Sequence, residues 1–315
     1  IGRLVGSEMC IRDRGSGANV AVLDQGIELT HNDLAANLSP LSYDTESNSS
    51  PSLMFGDHGT HCAGTVGAVG DNNTQVVGIA PECTLFSISN SLAGTPNSRQ
   101  KRADGINWAV ANGVDIISNS WSSGVQYQVI DDAIDDALAN GRGGLGCIIV
   151  FAAGNGSGSP VSYPANYTPG ILAVGSITST GARSGFSNIG PELDVVAPGS
   201  SVYSTINSNG VGYKSGTSMA TPHVAGLAAL ILSVNPCLTG GQVSDIIEQT
   251  AYKNPSYVFS PTAGRPNGNW NNEMGYGLID AHAAVLLAQS VSCPSSCSAT
   301  TVSYTHLTLP TSTHG

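Results

Sequence analysis

The chain has 315 residues and a formal net charge of −11, with 10% charged residues and 39 glycines. Its length allows one large domain with a buried core. An acidic balance with so few Lys and Arg argues against a nucleic-acid-binding surface. Apolar runs are broken by Gly, Ser or Asn before they reach the length of a membrane span.

Along the chain, apolar runs alternate with helical patterns. That alternation predicts an α/β fold, a mostly parallel central sheet with helices on both faces. The first strand is expected over Val20–Leu23, with Asp24 at its carboxyl end. A helix over His58–Ala68 follows, rich in small residues that let another backbone come close. Next come a strand over Thr84–Ile88, a helix over Ala103–Asn112, a strand over Asp115–Ser118 and a helix over Ile130–Ala139. Strands over Cys147–Ala152 and Ile171–Gly175 complete the sheet signals. Helices over Ser218–Val234, Gln242–Thr250 and Asp280–Ser290 close the pattern; the last should turn Ala284, Val285 and Leu287 to the core. Residues Val291–Thr301 read as a Ser- and Cys-rich linker. No internal repeat is evident.

Four segments carry chemistry. Val20-Ala21-Val22-Leu23-Asp24-Gln25-Gly26 puts a carboxylate where open parallel sheets place ligands, at a strand's carboxyl end. His58-Gly59-Thr60-His61-Cys62-Ala63-Gly64-Thr65 starts a helix with an imidazole, and Gly216-Thr217-Ser218-Met219-Ala220-Thr221-Pro222-His223 starts another with a hydroxyl. Phe151-Ala152-Ala153-Gly154-Asn155-Gly156 ends a buried strand in an amide. A serine alcohol is a poor nucleophile at neutral pH; it needs a histidine to take its proton and an acid to hold that histidine. Each residue alone has an ordinary structural reading: Asp24 as a turn residue, Ser218 as a helix cap, Asn155 as a turn Asn before Gly. His58 and His61 share a helix face, but the Glu of a zinc-protease helix is missing between them. Ala220 stands where the Gly-x-Ser-x-Gly elbow of the alpha/beta-hydrolases has glycine.

Together, in the order Asp, His, Ser, these segments resemble the subtilisin-like serine proteases, the subtilases, from about Gly17 to about Ala288. The resemblance implies a subtilisin-like three-layer sandwich and endopeptidase activity. It implies Asp24 as orienting acid, His58 as general base and acid, Ser218 as nucleophile and Asn155 as oxyanion donor. It further implies that Ser120-Trp121-Ser122 and Ala153-Gly154 line the pocket for the residue before the cleaved bond, with Ser162 near its floor. These segments hold no carboxylate, so no strong demand for a basic residue is expected there. Trp121 either reshapes the neighbouring subsite or packs in the core. Asp71–Gly78 resembles the family's calcium loop, with Asp33, the Asn72 side chain and the Thr74 and Val76 carbonyls as its oxygen ligands; the alternative is a polar surface turn.

The two ends of the chain read differently. Met9-Cys10-Ile11-Arg12-Asp13 and Val302-Ser303-Tyr304-Thr305-His306 can be encoded by one short DNA element read in opposite directions. Residues 1–15 and 302–315 are therefore expected to derive from a sequencing-library adapter and are set aside from the fold. That leaves a peptidase domain over 16–290 and a linker over 291–301 to a further C-terminal region. A secretion signal and an inhibitory pro-segment are expected outside the chain, which should be a secreted or cell-surface monomer. Outside the adapter segment six cysteines remain; Cys293 and Cys297 are spaced for a short loop, and Cys62 reads as a buried free thiol. The expected function is a serine endopeptidase acting on proteins or peptides through an acyl-enzyme. The alternatives are a maturation protease with few cleavage sites, an esterase or ligase built on the same triad, and a non-catalytic binding ectodomain.

Overall fold

Seven parallel strands form one sheet in the order β2-β3-β1-β4-β5-β6-β7 in the computed structural model, which describes residues 14–292. The strands are β1 (Asn19–Asp24), β2 (Tyr43–Asp44), β3 (Thr84–Ser89), β4 (Ile116–Asn119), β5 (Ile148–Ala152), β6 (Ile171–Ile177) and β7 (Val195–Pro198). Central strands are buried on both faces, which is why they read as continuous apolar runs rather than alternating ones.

Neighbouring side chains along β1 part company at the sheet plane. Val20 and Val22 join one core, Ala21 and Leu23 the other. The first core holds residues of α1 (His58–Gly67), α4 (Thr217–Val234), α5 (Gly240–Thr250) and α6 (Ala281–Ser290). The second holds residues of α2 (Ser98–Ala111) and α3 (Gln128–Gly144). This is the expected three-layer arrangement. Each fully buried Leu, Ile or Val contributes roughly 1.5–3 kcal/mol.

The expected elements are present, with shifted ends. Helix α2 begins five residues before Ala103, because its first turn is polar and hides from an apolar count; Asn97 at φ 62° ends the preceding loop. Helix α3 runs on to Gly144, with non-helical backbone at Gly141, Arg142 and Gly143. In α6, Ala284 and Val285 are buried, as expected, and Leu287 packs against the same core from a half-buried position. Strands β2 and β7 and the hairpin β8 (Val202–Ile206) and β9 (Gly210–Lys214) are additions to the sequence reading. The hairpin turns at Asn207-Ser208-Asn209, with Ser208 and Asn209 at positive φ, a two-strand signal readable in principle from Asn-Ser-Asn-Gly.

Helix α4 is long and apolar enough to cross a membrane by length and composition, yet 78% of that stretch is buried inside the protein. Its apolar character is that of a core helix. Cys293, Cys297 and most of the expected linker lie outside the described residues.

Candidate active site

Five elements bring their ends to one edge of the sheet: the carboxyl ends of β1, β4 and β5, and the amino-terminal turns of α1 and α4. Asp24 ends β1 and is fully buried. His58 opens α1 directly above it. Gly59 permits this approach: a Cβ there would come within 2.4 Å of the Gly26 carbonyl oxygen. His58 Nδ1 lies 2.8 Å and 2.9 Å from the two Asp24 carboxylate oxygens. A carboxylate only accepts, so Nδ1 carries the hydrogen and Nε2 keeps its lone pair. Burial favours the neutral ring, but the Asp24 charge outweighs it and holds the His58 pKa above its ordinary 6.5.

Ser218 lies in the first turn of α4, where unpaired amides give partial positive charge. It is joined to the end of β4 by two reciprocal hydrogen bonds. Its hydroxyl donates to the Ser120 carbonyl at 3.2 Å, and the Ser120 hydroxyl donates to the Ser218 carbonyl at 2.8 Å. The nucleophile candidate thus rests on a backbone oxygen, not on His58 Nε2; catalytic hydrogen bonds of this kind commonly tighten only with substrate bound. Cys62, one turn along α1, sits among all three groups. Its sulfur is 3.9 Å from an Asp24 oxygen, 4.0 Å from His58 Nδ1 and 3.4 Å from the Ser218 carbonyl. Burial raises its pKa, so it stays a neutral thiol, matching the buried free cysteine read from the sequence.

Asn155 follows β5 and is exposed. Its amide oxygen accepts from the Thr217 backbone N–H at 2.9 Å and from the Thr217 hydroxyl at 3.1 Å. With the oxygen so engaged, the amide nitrogen is left as the outward donor beside Gly216 and Ser218. The Thr217 hydroxyl also accepts from Gly154 N–H at 3.2 Å, tying the loop after β5 to the start of α4. Thr217 is a neighbour of the candidate site to which the sequence reading gave no role; its residue type alone reads as an ordinary helix cap.

The expected substrate-pocket residues divide. Ala153 and Gly154 lie against Ser162 through Asn188. The Asn188 amide nitrogen donates to the Ala153 carbonyl at 3.1 Å and to the Ser162 hydroxyl at 3.1 Å. Gly154, at φ 105°, leaves no room for a side chain: a Cβ would stand 2.4 Å from that nitrogen. Asn188 was not anticipated; its only sequence signal is an ordinary turn, Ser187-Asn188-Ile189-Gly190. Ser120 is buried against Ser218, and Ser122 is exposed. Trp121 belongs to the core rather than to an open pocket wall. It is 5% exposed and packs edge-on against Phe151, with ring centres 4.9 Å apart.

His61 is structural. Its Nε2 faces the Val202 and Gly212 carbonyls at 3.1 and 3.2 Å, fastening α1 to the hairpin, and burial lowers its pKa. Among the described residues, the one group of three His, Cys, Asp or Glu ligand atoms within 4.8 Å of one another is Asp24, His58 and Cys62, the candidate catalytic cluster itself.

The expected calcium ligands do gather around Asp33, but not as a calcium site. Asp33 is buried, and each carboxylate oxygen already accepts an N–H: from Asn72 Nδ2 at 2.7 Å and from Val76 N at 2.8 Å. The Asn72 oxygen turns to Thr74 N–H at 3.0 Å instead. Asp71, the nearest further acid in sequence, is paired with Arg14. Calcium takes six to eight oxygens, whereas this set presents nitrogen donors to its single carboxylate. In this arrangement the set does not fit the ion; the loop is held by direct hydrogen bonds.

The family model described as the subtilase family matches residues 15–277. Subtilisin NAT of Bacillus subtilis subsp. natto is 38% identical over 275 residues, 86% of this chain and 66% of that protein. Subtilisin DY of Bacillus licheniformis is 40% identical over 247 residues, 76% of this chain and 85% of that protein. Among solved structures, a protease from Pseudoalteromonas arctica PAMC 21717 superposes with a TM-score of 0.74 at 32% identity, covering 87% of this chain and 91% of that one.

Proposed function

The chain belongs to the subtilase family and is a subtilisin-like serine endopeptidase, and we propose that Ser218 is its nucleophile, His58 its general base and acid, and Asp24 the group that orients His58. The observation that carries this reading is the Asp24–His58 pair, with Nδ1 within 2.9 Å of both carboxylate oxygens. A histidine held so presents its free Nε2 as a base.

In the proposed reaction, Ser218 Oγ bonds to the peptide carbonyl carbon while its proton passes to His58 Nε2. The carbonyl electron pair moves onto oxygen, where the Asn155 amide nitrogen and the Ser218 backbone N–H receive the charge. Collapse breaks the C–N bond, and His58 returns its proton to the leaving amine. Water then takes the place of Ser218 by the same steps, freeing the acid and restoring the hydroxyl.

The pocket beside Ser120, Ala153 and Gly154 carries Ser162 and Asn188 and no carboxylate among these residues, which supports acceptance of neutral side chains before the cleaved bond. Extracellular action is supported by Cys237, which is disulfide-bonded, since structural disulfides persist in oxidising compartments. The test is Ser218→Ala, assayed together by fluorophosphonate labelling and casein cleavage. Both should vanish; labelling retained in the variant would move the nucleophile elsewhere.

A further inference from the structure

Two arginines stand without a carboxylate beside the candidate cleft. Among the described residues, Arg14, Arg142, Arg183 and Arg265 each hold an acid, whereas Arg99 and Arg102, neighbours at the start of α2, hold none. Arg102 is 7% exposed. Its guanidinium lies 5.0 Å from the centre of the Trp121 ring, and one N–H reaches the Leu92 carbonyl at 3.2 Å. Its Nε has no partner, and neither does Trp121 Nε1 on the ring it covers. Arg99 is exposed and stacks over Tyr127, 3.9 Å from the ring centre.

The electrostatics are unfavourable as they stand. Burial weighs most against the Arg102 charge; Glu46 favours it, and the neighbouring Arg99 charge opposes it again. The nearest acid acting on it, Glu46, is bound by Lys101 and by the Ser91 hydroxyl and amide. Stacking on aromatic faces offsets only a small part of this. A buried guanidinium without an anion, next to another cation, leaves a site that a carboxylate would complete. The protein as a whole carries −11, so this local positive pair runs against the general charge.

The location gives the pair a purpose. Trp121 directly follows Ser120, which is hydrogen-bonded both ways to Ser218. The segment from Ser120 to Tyr127 therefore runs from the nucleophile to the ring under Arg99. We propose that Arg99 and Arg102 form a specificity subsite that accepts an acidic side chain of the substrate on the acyl side of the scissile bond. Arg99, exposed, draws the carboxylate from solvent; Arg102, buried one turn along α2, adds to the positive charge there. This rests on the assignment of Ser218 as nucleophile and of residues 120–122 to the acyl side of the cleft.

The test is a set of fluorogenic peptides carrying Glu or Gln in turn at each of the four positions before the cleaved bond. One position should favour Glu by about 5–10-fold in kcat/KM, and the preference should shrink as salt rises. Arg99→Glu, a change at an exposed residue, should reverse it, so that Lys outruns Gln at that same position. Arg102→Gln should weaken it. Indifference to Glu at every position, or a Glu preference that survives Arg99→Glu unchanged, would overturn the proposal while leaving the hydrolase intact. Absence of fluorophosphonate labelling in the unaltered protein would instead sink the serine-hydrolase reading, and this subsite with it.

Discussion

Asn155 gives its amide oxygen to Thr217, 2.9 Å from the backbone nitrogen and 3.1 Å from the hydroxyl. That pair of bonds selects which end of the amide faces outward, toward where the proposed mechanism puts the reacting carbonyl. Asn155→Ala should lower kcat by about 10²–10³, the usual cost of losing an oxyanion donor. KM should change little, because the donor acts on charge that exists only in the transition state. Thr217→Val keeps the backbone bond and should cost less. Steady-state kinetics on a peptide amide measure both; a KM effect without a kcat effect would assign Asn155 to ground-state binding.

The Asp24 charge beside His58 sets the pH response. Catalysis needs the neutral imidazole, and the carboxylate holds its pKa above 6.5. The rate constant kcat/KM should therefore rise with pH through a pKa above 6.5 and level off on the alkaline side. Asp24→Asn should move that limb to lower pH and reduce kcat by roughly 10⁴ through loss of the right tautomer. A pH–rate profile whose acid limb stays put in the variant would contradict the pairing.

Asp33 should stabilise the protein without calcium. Its carboxylate accepts two N–H bonds in a buried position, and Asp33→Ala should cost roughly 2–3 kcal/mol. The loss in Tm should be equal in calcium and in chelator. A loss seen only in calcium would restore the ion to this loop.

Stability should fall as pH rises from about 4.5 to 8, through a group away from the candidate catalytic edge. Burial, and after it the charge of Asp194, pushes the Glu248 pKa up to about 8 from 4.5. A carboxyl whose folded pKa is raised favours the folded state while protonated. Its contribution is present below about pH 4.5 and is lost as pH climbs toward 8. Glu248→Gln should flatten the decline of the unfolding midpoint across that window in denaturant titrations. An unchanged slope would remove Glu248 as its source.

Much of this was legible beforehand because parallel strands buried on both faces are written as continuous apolar runs. Each strand from Val20–Leu23 to Ile171–Gly175 lies where its run lies. The strands missed were short or peripheral: Tyr43–Asp44 has two residues, and Val195–Pro198 follows a Pro-Glu-Leu-Asp turn that masks it. The calcium loop was legible only in part, for a different cause. Asp33 and Asn72 were matched by residue type, but the end of an amide that faces a carboxylate is not a property of its letter.

From residue order alone came the layered α/β architecture and the grouping of Asp24, His58, Ser218 and Asn155, because periodicity and short motifs are local patterns. Contacts between residues far apart in the chain came only with the tertiary structure. Thr217 orients Asn155, Ser120 holds Ser218, Trp121 turns to the core, and Arg99 and Arg102 meet beside it. Each depends on where a side chain points once distant segments are packed together, and hydrogen-bond direction and charge pairing exist only at that stage.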